Sequence, residues 1–262
     1  MSEIIGDSAV TGISNQAVVD EAIRLAKEAD VKGMCLRIMG GIAVRIQCPE
    51  ARRLYGIDRP LTDIDYMTYS KYGYKLDDFV KSQGYGPHMT SGRMYRGIYS
   101  HEKTGLMIDI FYDSLNMCHK IDFAKNKRLE LDSPTITLAD ILLEKLQIVK
   151  ISEKDLKDVC IMLREHDIGY TDKKEINIDY INKLLSDDWG FWYTSTINLN
   201  KFKNHLTSPD GVVYQWPEED RNIILKRIVR ILDELEKYPK TKNWQKRAKT
   251  GTKQNWYKDV RV

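Results

Sequence analysis

The spacing of apolar residues divides this chain into a mixed first part and a helical second part. Before Pro134, stretches with helical spacing of apolar residues alternate with stretches in which every second residue is apolar or a β-former. After Pro134, helical spacing dominates. The pattern predicts an α+β sheet domain followed by a mostly helical region. We place the division between 134 and 175 and assign the domains to 1–168 and 169–262.

The same pattern predicts individual elements. It predicts strands in the first part and helices in both parts, with the final residues left as a tail. Helices are predicted at 15–29, 75–82, 137–151, 152–167, 178–186 and 217–237. Strands are predicted at 34–41, where an apolar run ends in two glycines before a helix, at 61–69, and as a hairpin at 93–100 and 104–113, with one or two more within 117–131. Residues 49–60 are predicted as a loop or an irregular helix, and the aromatic segment 187–195 as a loop.

Composition is typical of a folded protein with an apolar core. Of its 262 residues, 42% are hydrophobic and 30% are charged. No apolar run approaches the ~20 residues that span a bilayer, and the first residues lack the basic-then-apolar order of a signal peptide. We therefore expect a cytoplasmic protein without a membrane partner. The four cysteines form no CxxC pair, so we expect reduced thiols and neither a zinc site nor a disulfide framework.

Charge is concentrated at the C-terminal end. Residues 237–262 contain nine Lys or Arg and one Asp, a local charge of +8, so the remaining residues sum to −5 of the total +3. Trp244, Trp256 and Tyr257 are interleaved with these cations. Cations attract phosphates and aromatic faces stack on unpaired bases, so the segment 237–262 predicts contact with RNA. The alternative is a solvated, partly disordered chain end.

A pair of carboxylates, Asp63 and Asp65, is the strongest chemical signal. Residues two apart on a strand project from one face, and two carboxylates so placed favour a cation such as Mg²⁺. Asp109 lies among apolar residues of a second predicted strand. If the two strands are neighbours, the three acids form a cluster able to hold two ions ~3.5–4 Å apart. Alternatively, the pair belongs to a surface strand, Asp109 pairs with an arginine, or Asp113 takes its place.

Two glycines, Gly40 and Gly41, follow an apolar strand and precede a helix. Glycines there allow a phosphate to approach the backbone, and the helix N-terminus offers free N–H groups. The segment matches neither a Walker A loop nor GxGxxG, and the alternative is an ordinary tight turn. Arg45 lies one turn further on and reaches either a phosphate or solvent.

These segments together resemble the nucleotidyltransferase superfamily that shares the DNA polymerase β-like fold. The resemblance rests on LRIMGGIAVRI, LTDIDYM and LMIDIFYD and spans roughly 34–165. It implies a mixed sheet with flanking helices. It also implies that Gly40 and Gly41 hold a nucleoside triphosphate such as ATP and that Asp63, Asp65 and Asp109 bind two Mg²⁺ or Mn²⁺ ions. Asp109 would also help to activate the attacking hydroxyl.

A narrower resemblance is to the AbiEii-like abortive-infection toxins. It rests on GGIA, DRPLTDID and LLEKLQIVKISEKDLKDV. It implies that Lys145 contacts the triphosphate and that Asp155 and Asp158 are later site acids. Thr62 directly precedes the first acid of the pair, unlike in the family, so neither Thr62 nor Arg59 is given a role. On helical grounds alone, Lys145 is equally a solvated lysine, and the two acids equally favour a helix start, Asp155 in a capping box.

The predicted activity is transfer of a nucleoside monophosphate from a triphosphate to a hydroxyl acceptor. The basic end favours an RNA acceptor, and a toxin-like role would imply an antitoxin-like protein partner. One alternative is an antibiotic-type transferase whose small-molecule acceptor contacts the aromatic segment from Trp189 to Tyr193. The other is a non-catalytic module that binds RNA or a partner on the same fold.

Overall fold

A computed structural model describes residues 12–56, 60–89 and 96–260. Within these ranges, the first sheet has five strands. They are β1 (Leu36–Ile38), β2 (Asp63–Thr68), β3 (Tyr85–Met89), β4 (Arg96–His101) and β5 (Met107–Tyr112), arranged in the order β1-β2-β5-β4-β3.

The sheet is mixed, because its two central strands run parallel. β2 and β5 pair in parallel, while β1 pairs antiparallel with β2, and β4 pairs antiparallel with both β5 and β3. The predicted α+β class, the strand at 61–69 and the hairpin of β4 and β5 are confirmed. β3 was not predicted. Residues 93–95 of the predicted strand at 93–100 lie outside the described residues.

Helices cover the sheet and form the second part of the chain. They are α1 (Asn15–Val31), α2 (Gly40–Gln47), α3 (Pro49–Leu54), α4 (Gly73–Ser82), α5 (Leu138–Leu146), α6 (Glu153–Glu165), α7 (Ile178–Leu185), α8 (Trp189–Thr207), α9 (Glu218–Lys237) and α10 (Lys242–Thr250). The described residues also contain two short strand pairs. These are β6 (Ser114–Asn116) with β7 (Lys120–Asp122), and β8 (Ile168–Gly169) with β9 (Ile176–Asn177). None of the helices in the described ranges has the length and apolar character needed to cross a membrane.

Two helices connect the sheet side to the later helices. α5 and α6 contact α2 on one side, and they contact α8 and α9 respectively on the other. The predicted helices at 137–151 and 152–167 are confirmed in shorter form as α5 and α6. All four cysteines are free and buried, as expected for reduced thiols. The apolar side chains of both parts form one continuous buried cluster.

The predicted loop at 187–195 is wrong, because α8 begins there. The Asp188 side chain caps the helix by accepting a hydrogen bond from the Phe191 N–H at 3.0 Å. Trp189 and Phe191 are buried in the core. Gly190 allows close packing here, since a Cβ at this position would lie 2.4 Å from the carbonyl oxygen of Trp256.

The chain end is folded, so the interpretation of a disordered tail is wrong for the described residues. α10 occupies much of it, and Trp244 packs edge-to-face against Trp192 with ring centroids 5.1 Å apart. Trp256 packs against Tyr193 in the same way at 5.2 Å, and its Nε1–H donates to Thr194 Oγ1 at 3.1 Å. These two tryptophans, each half-buried, are therefore packed against α8. Residues 261–262 lie outside the described residues.

Candidate active site

Three carboxylates meet on the two parallel central strands. Asp65 of β2 stands directly opposite Asp109 of β5 in the strand register, and Asp63 lies two residues before Asp65 on the same face. Asp63 is exposed, Asp65 is half-buried, and Asp109 is buried with 7% of its surface exposed. The sheet therefore holds the three acids side by side, graded from solvent to interior.

Negative charge is concentrated around Asp65. Desolvation raises the pKa of Asp65 well above its ordinary value, and the nearby charges of Asp63, Glu144 and Asp109 raise it further. Like charges this close disfavour ionisation unless a cation neutralises them. A positive charge close to the three carboxylates would therefore stabilise their ionised forms.

At Asp109 that positive charge is a protein side chain. The Arg96 Nε–H donates to both carboxylate oxygens of Asp109, at 2.7 and 2.8 Å. The Arg96 Nη2 also donates to Asp109 Oδ2. The guanidinium lies over the Phe111 ring, 5.1 Å from its centroid. Among the described residues, no group of three or more His, Cys, Asp or Glu side chains is arranged to hold a metal ion. At this cluster, both carboxylate oxygens of Asp109 are engaged by Arg96.

Asp113 does not take the place of Asp109. It follows the end of β5 with a positive φ of 60°. Its Oδ1 accepts a hydrogen bond from the Ser70 N–H at 2.9 Å, which holds the turn after β2. The alternative that Asp113 belongs to the cluster is therefore wrong.

The Gly40–Gly41 turn packs directly against the acids. Gly40 has φ +69°, and a Cβ there would lie 2.6 Å from Asp65 Oδ2. The preceding Met39 N–H donates to the Asp65 carbonyl oxygen at 2.9 Å. Only glycine combines this backbone conformation with so close an approach to the carboxylate. α2 begins at Gly40, so its N-terminus lies beside the carboxylate cluster.

Sequence reasoning missed a fourth acid, Glu144. Its Oε2 accepts a hydrogen bond from the Gly40 N–H at 3.1 Å. Desolvation raises the pKa of Glu144 to about 7, against the partly compensating charge of Lys145. Its position next to Lys145 in the segment LLEKL was the available signal, but helical periodicity alone could not place it beside a glycine more than one hundred residues earlier.

Lys145 is buried and doubly paired. Its Nζ lies 2.8 Å from Asp155 Oδ1 and 3.0 Å from Asp158 Oδ2, with 6% of its side chain exposed. The interpretation of Lys145 as a solvated helix lysine is therefore wrong. Asp155 also belongs to the predicted helix cap, because Ser152 Oγ accepts from the Asp155 N–H at 3.3 Å and donates to its Oδ2 at 2.7 Å. One residue thus serves both the helix start and the ion pair.

Two arginines line a small cavity beside the glycine turn. Arg45 of α2 and Arg52 of α3 share this cavity with Gly41, Leu61 and Asp158. Arg45 was singled out from the sequence, whereas Arg52 was not. Thr62 Oγ1 donates to Asp63 Oδ1 at 3.0 Å, and Arg59 lies outside the described residues. The cavity places two cations next to the helix N-terminus that follows the Gly-Gly turn.

Comparisons with known proteins give distant matches in structure alone. No protein-family model and no curated protein sequence matches this chain. The lincomycin-bound lincosamide adenylyltransferase LnuA is 16% identical, with 58% of this chain and 98% of that chain covered and a TM-score of 0.42. The antibiotic-resistance factor ANT(2'')-Ia is 14% identical over 56% of this chain and 82% of its own, with a TM-score of 0.37. The Thermotoga maritima CCA-adding enzyme in complex with tRNA is 13% identical over 94% and 72%, with a TM-score of 0.27.

Proposed function

We propose that this protein is a metal-dependent nucleotidyltransferase that moves a nucleoside monophosphate from a nucleoside triphosphate to a hydroxyl of an RNA acceptor. One observation carries the proposal. Asp63, Asp65 and Asp109 lie side by side on adjacent parallel strands, against the glycine turn that begins α2. Carboxylates beside a helix N-terminus suit a cation and a phosphate chain bound together.

The residues fit a divalent cation. Carboxylate oxygens are the ligands that Mg²⁺ and Mn²⁺ prefer. The pKa of Asp65 is raised by desolvation and by its acidic neighbours, and a guanidinium already occupies the cationic position at Asp109. Asp63, Asp65 and Asp109 would hold the ions once Arg96 moves away. Bound there, divalent ions would neutralise charge on the triphosphate and on the reacting oxygens.

The reaction exchanges a phosphoanhydride bond of the triphosphate for a phosphodiester bond to the acceptor. The acceptor hydroxyl oxygen forms a bond to the α-phosphorus, and the bond from that phosphorus to the oxygen bridging to the β-phosphate breaks, releasing pyrophosphate. The hydroxyl proton passes to a base, and we assign that role to Asp109 once Arg96 has released it. Most of the catalytic effect comes from positioning and charge stabilisation, as is usual for phosphoryl transfer.

The triphosphate would lie along the start of α2. Its oxygens would accept hydrogen bonds from backbone N–H groups at Gly40 and Gly41, with Arg45 supplying positive charge from the cavity. Glu144 now accepts the Gly40 N–H, so a phosphate would have to replace it there. Lys145 and Asp155 support this end of the site through their buried ion pair.

Two observations support an RNA acceptor over the small-molecule acceptor of an antibiotic-type transferase. The small-molecule alternative placed its acceptor against the segment from Trp189 to Tyr193. Trp189 and Phe191 are instead buried, with 7% and 0% of their surfaces exposed. The basic chain end is folded and keeps several lysines in solvent. We therefore propose that the acceptor is RNA.

The test is transfer of label from α-³²P-labelled triphosphates, each assayed separately, onto total RNA in the presence of Mg²⁺. We expect labelled RNA with the wild-type protein and none with Asp63→Asn/Asp65→Asn. Asp113→Asn is the matched control, because it removes one carboxylate of the same strand region that lies outside the cluster. Wild-type protein that neither binds triphosphate nor labels RNA would rule out the proposed activity.

A further inference from the structure

The solvent face of α10 carries a row of lysines. Lys242, Lys246 and Lys249 are spaced i, i+4 and i+7, so they project from one side of the helix, and Lys253 follows in the next turn. All four are exposed. We call Lys242, Lys246, Lys249 and Lys253 the lysine row.

The lysine row keeps its charge unneutralised. Within the described residues, none of these four side chains forms an ion pair, and the segment 237–260 contains a single acid, Asp259. By contrast, the neighbouring Lys240 points back into the protein, where its Nζ donates to the carbonyl oxygens of Glu236 at 3.2 Å and Tyr238 at 2.7 Å. The row is therefore a separate feature from the lysine that caps α9.

The opposite side of α10 fixes the orientation of the row. Trp244 packs against Trp192, and Arg247 lies over the Trp189 ring, 4.9 Å from its centroid. The N-cap residue Thr241 donates from Oγ1 to Asp187 Oδ1 at 2.8 Å, and its backbone N–H donates to Ser186 at 3.0 Å. The helix is thus held to α7 and α8 by its apolar side, and the lysines face outward.

We propose that the lysine row is the docking surface for the phosphate backbone of the RNA acceptor. This inference depends on the proposed function for the identity of the acceptor. Three lysines along a helix that rises ~1.5 Å per residue form a line of positive charge about 10 Å long, which Lys253 extends. A line of separate ammonium groups suits a linear polyanion, because each neutralises one phosphate and releases its counterion.

Two other polyanions fit the structure less well. A helix that binds a membrane surface needs its apolar side free to enter the lipid boundary, and the apolar side of α10 is packed on α8. An acidic protein would bring acids spaced for ion pairs and an apolar contact at the centre of the interface. The exposed residues of α10 are lysines and other polar residues, so this face has no apolar centre for such an interface.

The contacts would be to phosphates alone. The two tryptophans of the chain end pack against α8, and the side of α10 that carries the row presents lysines. Phosphate contacts position a strand but carry no sequence information. The structure therefore assigns this surface to sequence-independent holding of the acceptor, and any choice among RNAs has to be made elsewhere.

The experiment measures the affinity of the full chain for a single-stranded RNA of mixed sequence at several KCl concentrations between about 50 and 200 mM. Each phosphate contact on a single strand contributes about 0.7 to the slope of log affinity against log salt. Lys246→Gln/Lys249→Gln should reduce the steepness of that slope by about 1.4 and weaken binding at low salt by on the order of tenfold. Lys201→Gln/Lys203→Gln is the matched control, since both lysines are exposed on α8, and it should change neither quantity.

Three outcomes overturn the inference: equal slopes for wild type and the lysine-row variant, tighter binding to anionic phospholipid vesicles than to RNA, or tighter binding to polyglutamate than to RNA. Label transfer separates this inference from the proposed function. Transfer to RNA with an unchanged KM for RNA in the variant would reject the docking surface and leave the enzyme intact. Lysine-dependent RNA binding without any transfer by wild-type protein would leave the surface intact and reject the activity.

Discussion

Arg96 and Asp109 form a bidentate ion pair across neighbouring antiparallel strands, with the Arg96 Nε 2.7 and 2.8 Å from the two Asp109 oxygens. The pair satisfies the most buried acid of the cluster and raises the pKa of Arg96, chiefly through the hydrogen bond to Asp109. A divalent ion at Asp109 must therefore compete with a guanidinium that is already in place. If the cluster binds divalent cations as proposed, we expect the position of Arg96 to set its apparent affinity for them.

The first consequence is that Arg96→Gln should bind Mn²⁺ more tightly than the wild type does in the absence of nucleotide. The Arg96 side chain is 39% exposed, so the pair has the modest strength of a partly solvated one, and we expect a gain of roughly three- to tenfold, or about 0.7 to 1.4 kcal/mol. Electron paramagnetic resonance of free Mn²⁺ measures the affinity directly. Arg53→Gln is the control, because it removes the same charge from an exposed pair with Glu50. Equal affinities for wild type and Arg96→Gln would show that Arg96 does not compete with the ion.

A second expectation concerns Gly40, for which the chain provides a matched control. Gly40→Ala and Gly33→Ala both place a Cβ at a positive φ, +69° and +73°, and each should lose roughly 1–2 kcal/mol of unfolding free energy. A Cβ at Gly33 meets nothing within 4 Å, whereas one at Gly40 lies 2.6 Å from Asp65 Oδ2. Gly40→Ala alone should therefore also lose Mn²⁺ binding. Urea denaturation and the Mn²⁺ titration separate the two effects, and loss of Mn²⁺ binding in both variants would contradict this account of Gly40.

The sequence was sufficient for the parts of the site that depend on local pattern. Alternation placed Asp63 and Asp65 on one strand, and an apolar run ending in two glycines placed Gly40 at a turn into a helix. Arg96 and Glu144 were missed because their roles depend on tertiary contacts: a strand register in one case and the packing of α5 against α2 in the other. α8 was missed because a buried helix with aromatic residues around its start shows little amphipathic contrast. Asp155 illustrates a residue for which two local interpretations are both correct.

A third expectation is a pH-dependent difference in stability between wild type and Glu144→Gln. The pKa of Glu144 is raised from 4.5 to about 7 by desolvation, so the folded protein binds this proton more tightly than the unfolded chain does. Ionisation of Glu144 therefore destabilises the fold progressively as pH rises from about 4.5 to about 7. Glutamine keeps an oxygen for the Gly40 N–H and carries no charge. The free energy of unfolding of Glu144→Gln should therefore rise relative to that of the wild type by roughly 1–3 kcal/mol between pH 4.5 and 7.

Urea denaturation at a series of pH values measures this difference. The two proteins must be compared at each pH, because His119 changes the stability of both in the opposite direction. Desolvation lowers the pKa of His119 from 6.5 to about 4. Its contribution to the free energy of unfolding is therefore lost as pH falls below 6.5. Glu130→Gln, at an exposed position, is the control. A constant difference between wild type and Glu144→Gln from pH 5 to 8 would show that Glu144 ionises without cost.

The final expectation separates two roles for Lys145. Its ammonium is shared by Asp155 and Asp158 in a site where 6%, 17% and 6% of the three side chains are exposed. Lys145→Met removes one buried cation that both acids share, so it should lower the unfolding free energy by roughly 3–5 kcal/mol. Adding Asp155→Asn and Asp158→Asn removes the two negative charges that Lys145 balanced, and the triple variant should recover most of that loss. Binding of a fluorescent Mg²⁺-triphosphate analogue then distinguishes the roles. If Lys145 contacts the triphosphate, the triple variant is stable but binds the analogue at least tenfold more weakly; if Lys145 only neutralises the two acids, stability and binding recover together.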